Sequence, residues 1–243
     1  MARDIPGISD LMFPHLTPGL VAYLNKMMVG CEGVQAIPFD LIDATAVART
    51  MLFEIAVARG QQILDGHDNA DWEACLRVAT IRQKRHFDAT APASLTESDI
   101  AAAEWVGSNL AHMLTYLGTQ TPTERLIEAP SIPGYQWISS GHGDFSIGDT
   151  LIEVKCTNRK FGSADYRQIL MYWLLSYAAS IESDSEEWAS CVLLNPRFNY
   201  MLKISFVDIL GLIAAGRSKV ELLEEFACIV GDDNLKLLSD LDR

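Results

Sequence analysis

One run of the chain restricts the fold more than any other: Gly141-His-Gly-Asp-Phe-Ser-Ile-Gly-Asp-Thr-Leu-Ile-Glu-Val-Lys-Cys156. Gly148-Asp149 separates two apolar-alternating stretches, and glycine in the first loop position suits a two-residue type II′ hairpin. Counting outward from the turn sets the register. Ile147 faces Thr150, Ser146 faces Leu151, Phe145 faces Ile152, and Asp144 faces Glu153. Strand side chains alternate between the two faces of a sheet. Phe145, Ile147, Ile152 and Val154 therefore share one side and can pack on a helix, while Asp144, Glu153 and Lys155 share the other.

Directly opposed residues have Cβ atoms about 4.5–5.5 Å apart, and two carboxylates that close repel unless a cation intervenes. Mg²⁺ resolves the conflict, because it binds through one or two carboxylates plus waters and substrate phosphates. A neighbouring ammonium then orients or deprotonates a water, or stabilises charge developing on phosphate. Metal-assisted hydrolysis of a phosphodiester requires this combination. Of the seven lysines, only Lys155 has an acid two positions before it. On these residues alone, a metal site and an ordinary solvated hairpin stand level.

The rest of the chain reads as helices around this hairpin. Thr17-Pro18 offers an N-cap with proline at the first helical position, and Gly30 can end that helix. An amphipathic stretch spans residues 40–64, and a third helix begins near Asp71 with Trp72, Cys75, Leu76 and Ala79 on one side. A fourth is expected over residues 96–117, closed by Gly118. Strands are expected over residues 125–129, 142–147 and 150–157, then a helix over 163–179 with a wide apolar face. Two further strands, 189–195 and 200–205, join through Pro196-Arg197. Ser218-Lys-Val-Glu221 fits a capping box for a closing helix.

Asp144, followed by eight residues and Glu153-Val154-Lys155, resembles the catalytic hairpin of the PD-(D/E)XK nuclease superfamily. Gln168-Ile-Leu-Met-Tyr172 is similar to the Q-x-x-x-Y motif of its RecB-like members, and its two polar residues lie one helical turn apart on a shared face. Gly143 precedes Asp144 where many members carry proline. The resemblance covers about residues 97–205. It implies an α/β fold with a restriction-endonuclease-like α-β-β-β-α-β core in a nuclease-like domain with C-terminal helices (91–243); the N-terminal helical region (1–90), read from its periodicity, has no place in the resemblance. The resemblance also implies Asp144 and Glu153 as metal ligands, Lys155 as the residue that positions or activates water, and Gln168 and Tyr172 on the substrate side. Such nucleases often add a residue from the helix before the sheet. Glu104 is the first choice and His112 the alternative, against a solvated acid and a half-buried core histidine.

Arg159, Lys160 and Arg167 are candidates for phosphate contact, although Arg159 and Lys160 equally fit a solvated loop. The basic run Arg77, Arg82, Lys84, Arg85 and His86 is a second candidate surface or an exposed face. His142 shares the strand face of Asp144, or else serves the turn between Gly141 and Gly143. No P-loop, G-x-S-x-G, G-x-G-x-x-G or zinc spacing is present.

Charge is the apparent obstacle. With 32 acids against 19 Lys plus Arg, the formal net charge is −13, and a strongly acidic surface repels polyanions. The acids concentrate at residues 182–187 and 221–243, however, while cations gather at residues 77–85 and 155–167. Nucleic-acid binding is therefore expected to be local and metal-assisted. Five dispersed cysteines without a C-x-x-C pair suggest reduced thiols and a cytoplasmic location. No apolar run approaches membrane-spanning length.

The expected function is a Mg²⁺-dependent deoxyribonuclease, with Mn²⁺ as substitute and endonucleolytic cleavage preferred. It would act as a subunit of a DNA-processing or anti-phage defence system, with a protein partner or as a homo-oligomer. The alternatives are a catalytically silent binding or scaffolding subunit of the same fold, and an acidic α/β module with no nucleic-acid role.

Overall fold

In a computed structural model, which describes residues 7–84, 92, 94–183 and 185–241 (side chains of 84 and 232–241 excepted), six α-helices among the described residues precede the first strand. They are α1 (Ile8–Met12), α2 (Pro18–Leu24), α3 (Phe39–Asp43), α4 (Arg49–Leu64), α5 (Trp72–Lys84) and α6 (Glu97–Gln120). The chain continues through β1 (Leu126–Glu128), β2 (Ser131–Ile132), β3 (Gly141–His142), β4 (Phe145–Ile147), β5 (Thr150–Val154) and α7 (Ser163–Glu182). It then forms β6 (Ser190–Asn195), β7 (Tyr200–Ser205), α8 (Phe206–Ile213) and α9 (Lys219–Leu241).

Five strands form one mixed sheet in the order β1-β4-β5-β6-β7, and β2 pairs with β3 separately. Only the β5–β6 pairing is parallel within the sheet, and α7 supplies the connection that a parallel pair needs. The hairpin register matches the count from the turn: Phe145 pairs with Ile152, Ser146 with Leu151 and Ile147 with Thr150. Gly148 has φ +54° while Asp149 has no positive φ, as a type II′ turn requires.

Period-two alternation gives the sheet two buried faces. Phe145, Ile147, Ile152, Val154, Val192 and Leu194 pack against Leu110, Met113, Leu114 and Leu117 of α6. Leu151, Cys191, Leu193, Leu202 and Ile204 pack against α7, together with α1, α2, α8 and α9. The side of the hairpin that carries Glu153 is therefore covered by α7 instead of facing solvent. Residues of α3, α4, α5 and α6 build a further core, so the N-terminal helices share apolar interior with the helices that flank the sheet.

The expected helix over residues 40–64 is two helices. Asp99 accepts hydrogen bonds from the backbone N–H groups of Ala46 and Val47 at 2.9 and 3.0 Å, which diverts the backbone between α3 and α4. The expected strand 142–147 is also broken, at Gly143-Asp144. There Gly143 N donates to Pro130 O and Ala129 N donates to Asp144 O. Helix α2 ends at Leu24, well before Gly30, and Gly118 lies inside α6. Helix α4 crosses α6 closely enough that a Cβ on Gly107 would lie 2.8 Å from Ala56 O, and one on Gly60 would lie 3.0 Å from Gly107 O. Glycine at both positions sets how deeply α4 sits on the fold.

Candidate active site

Asp144 stands just beyond the β4–β5 ladder, and its Oδ2 accepts from the Val154 backbone N–H at 2.8 Å. The carboxylate therefore reaches across the hairpin to the strand that carries Glu153. Glu153 is 4% exposed, held on the α7 face by strand alternation with Leu151. Its Oε1 accepts from Lys155 Nζ at 2.7 Å and from Gln168 Nε2 at 2.8 Å. Lys155 Nζ also donates to Gln168 Oε1 at 2.6 Å, and Gln168 Nε2 donates to the Tyr172 hydroxyl at 2.8 Å. The Gln168 amide thus has one orientation: its oxygen meets the ammonium and its nitrogen meets the carboxylate and phenol. Helix α7 presents Gln168 and Tyr172 one turn apart, as the sequence spacing requires.

These five residues line one cleft of about 370 Å³. Its opposite wall comes from α4, through Arg49, Thr50, Phe53, Glu54, Val57 and Gln61, with Arg82 of α5 beside them. Arg49, Phe53 and Val57 recur every fourth residue, so a continuous helical stripe faces the hairpin. Glu54 brings a third carboxylate to the cleft, and Arg82 Nη1 lies 3.7 Å from its Oε2. Sequence reasoning missed Glu54. The available signal was an acid between Phe53 and Ile55 in an otherwise apolar stretch, but nothing local said which surface α4 would cover.

Other candidates are placed elsewhere. Glu104 makes a bidentate ion pair with Arg59, at 2.7 and 3.1 Å, and does not line the cleft. His112 lines a separate groove along α6, with its ring against Gly33. Arg159 pairs with Asp165 at 2.8 Å and Arg167 with Asp10 at 2.5 Å. Lys160 is exposed, and neither it nor those two arginines lines the cleft. His142 does line it, with Nδ1 donating to Ala129 O at 3.0 Å. Of the basic run, Arg82 reaches the cleft and Arg77 lies 3.8 Å from Glu73 on the surface. The Lys84 side chain, Arg85 and His86 lie outside the described residues.

Cys156, next to Lys155, also lines the cleft. Burial pushes its thiol up to about 12, with the Arg197 guanidinium opposing, so it is protonated at neutral pH and unsuited to act as a thiolate nucleophile.

Among the described residues, no group of three or more His, Cys, Asp and Glu could hold a metal ion. A Mg²⁺ site would therefore rest on the two hard-oxygen donors Asp144 and Glu153, which is within the usual range for an ion that keeps waters and takes substrate phosphates. Among the described residues, no helix is long and apolar enough to cross a membrane. Compared with protein-family models, curated proteins and solved structures, the chain matches none of them.

Proposed function

We propose that the chain is a Mg²⁺-dependent nuclease of the PD-(D/E)XK type that hydrolyses phosphodiester bonds in DNA. The observation that carries this reading is the convergence of Asp144, Glu153 and Lys155 in one cleft, with Gln168 bridging Glu153 and Lys155. The order α6, β1, β4, β5, α7, β6, with β5 and β6 parallel, supports a restriction-endonuclease-like core.

Asp144 and Glu153 would hold the cation, with Mn²⁺ as a substitute. When bound, Mg²⁺ supplies Lewis-acid polarisation of phosphate and a more acidic water. The chain's own groups do the positioning. Lys155 has three N–H donors; two are used by Glu153 and Gln168, and the third serves a water or phosphate oxygen in the cleft. Gln168 fixes where the ammonium points. Tyr172, anchored on α7, holds the Gln168 nitrogen toward Glu153. Glu54 faces the same space from α4 and would orient a water in the cleft. The wider setting is a subunit of a cytoplasmic DNA-processing or defence system that receives its substrate from a protein partner.

The test is cleavage of plasmid and linear DNA in Mg²⁺, Mn²⁺ or EDTA, with Asp144→Ala and Lys155→Ala as controls. Activity that is metal-dependent and lost in both variants supports the reading; activity unchanged in both would overturn it. A silent binding subunit is favoured by one observation, the direct 2.7 Å ion pair between Lys155 and Glu153, which balances charge without a cation. DNA binding without cleavage in any metal would select that reading.

A further inference from the structure

Among the described residues, two arginines are almost completely buried, and their surroundings differ. Arg59, 4% exposed, bonds Glu104 and the carbonyls of His67 and Asp68. Arg197, 5% exposed, has no ion pair among the described residues, and its buried Nε has no hydrogen-bond partner. It stacks as a cation on Phe198, 5.4 Å from the ring centroid, and burial lowers its basicity, with the Cys156 thiol and the Asp43 carboxylate near enough to oppose that and the Arg49 guanidinium adding to it. A buried guanidinium normally pairs with an anion, because removing its charge from water is costly.

The position of Arg197 is fixed by its backbone. Its N–H donates to Asn195 Oδ1 at 3.0 Å, and its carbonyl accepts from Ile37 N at 2.8 Å. Asn195 in turn donates to Thr157 O, and Asn109 of α6 donates to Pro196 O. The β6–β7 connection is thus tied both to the segment after Lys155 and to α6.

Arg197 lines a side pocket of about 20 Å³ whose other walls are Ile42, Arg49, Leu52, Phe53, Ala56, Val106 and Cys156. Arg49, Phe53 and Cys156 also line the main cleft, so the two spaces adjoin one residue beyond Lys155. A volume of this size holds about one water-sized atom, such as one oxygen of a tetrahedral anion whose remainder stays in the cleft. The walls are mostly apolar, which strengthens a charged hydrogen bond formed there. Arg49, more than half exposed and 3.0 Å from Asp43, offers a second cation at the mouth. The guanidinium fork matches phosphate geometry.

We propose that Arg197 is a phosphate subsite of the cleft, binding a phosphate group of the nucleic-acid strand next to the one at Lys155. That the ligand is a strand rests on the nuclease reading; the anion site rests on Arg197 itself. The bound group is a terminal phosphate or an internal phosphodiester, and the two are separable.

The experiment uses the full chain in EDTA. Potassium phosphate should raise the wild-type Tm above that in potassium chloride of equal ionic strength. Arg197→Met should lose this response, while its Tm in chloride equals or exceeds wild type because a buried guanidinium with no ion pair among the described residues has been removed. Binding of 3′-fluorescein single-stranded dodecamers, with 5′-phosphate or 5′-hydroxyl, is then followed by anisotropy. The Arg197→Met variant should bind about 10- to 100-fold more weakly. A loss confined to the 5′-phosphorylated strand identifies a terminal phosphate, and an equal loss for both strands identifies an internal one. If the Met variant fails to fold, Arg197→Lys keeps the charge without the fork and should still weaken binding. A wild-type Tm indifferent to phosphate, or strand binding unchanged in folded variants, overturns the subsite. Absence of cleavage in Mg²⁺, with Arg197-dependent strand binding intact, overturns the nuclease reading and leaves the subsite standing.

Discussion

The Lys155 ammonium and the Gln168 amide oxygen are 2.6 Å apart, joining the residue that follows β5 to α7 in the cleft. Because the same amide donates to Glu153 Oε1 and to the Tyr172 hydroxyl, one side chain orients both charged groups of the candidate site. A leucine would fill similar space and orient neither. Gln168→Leu should lower kcat about 10- to 100-fold, in the range for groups that hold active-site ligands in place, with a smaller change in KM. Steady-state kinetics checks this; a KM effect with kcat intact would make Gln168 a substrate contact only.

Two glutamates on neighbouring helices should behave oppositely. Glu54 lines the cleft, so Glu54→Gln should reduce cleavage at least tenfold and leave the Tm within a few degrees. Glu104 holds the buried Arg59, so Glu104→Ala should cost about 1–3 kcal/mol of stability and spare kcat. Urea unfolding and cleavage assays on both variants separate the roles.

The packing of α4 on α6 sets the width of the cleft. A Cβ on Gly107 meets backbone oxygen at 2.8 Å and Arg59 side-chain carbons at 3.1 Å, and neither the helix backbone nor the buried arginine can yield easily. Gly107→Ala should therefore destabilise by about 1–3 kcal/mol and also reduce activity, because α4 carries Arg49, Phe53 and Glu54. Calorimetric unfolding together with kcat/KM tests both effects.

Asp99 links the α3–α4 connection to the start of α6. Burial alone would raise its carboxyl, but hydrogen bonds from the Thr96 side chain and from the Val47, Thr96 and Ala46 backbone N–H groups outweigh it and hold the carboxyl below 3.8. Since the native state releases this proton more readily than the unfolded chain, the contribution is present above about pH 4. It is lost as pH falls through the lower native value. Asp99→Asn should be less stable than wild type at pH 7, by about 1–3 kcal/mol, and the gap should narrow toward pH 2. Urea midpoints across that range check the sign.

The hairpin was legible in the sequence because a two-residue turn and period-two alternation are local and together fix register. The Gln168–Tyr172 face was legible for the same reason, as helical spacing needs no tertiary knowledge. That Gln168 and Tyr172 can point toward the hairpin was part of that reading; the near-complete burial of Glu153 beneath α7 was not, since alternation assigns a face without saying how closely it is covered. Glu54 and Glu104 show the limit most clearly. Both are acids in apolar helices, and only the α4–α6 crossing, set by Gly60 and Gly107, decides which meets the cleft and which meets Arg59. The break before α4 was hidden because its cause, Asp99, lies more than fifty residues away in sequence.

Single-turnover cleavage of a labelled DNA oligonucleotide tests the nuclease assignment most directly, comparing wild type with Asp144→Asn and Lys155→Met of verified Tm. A nuclease of this type should give product in Mg²⁺, none in EDTA, and rates reduced about 10²- to 10⁴-fold in both variants. Metal-independent cleavage, or variants that cut as fast as wild type, would contradict the assignment.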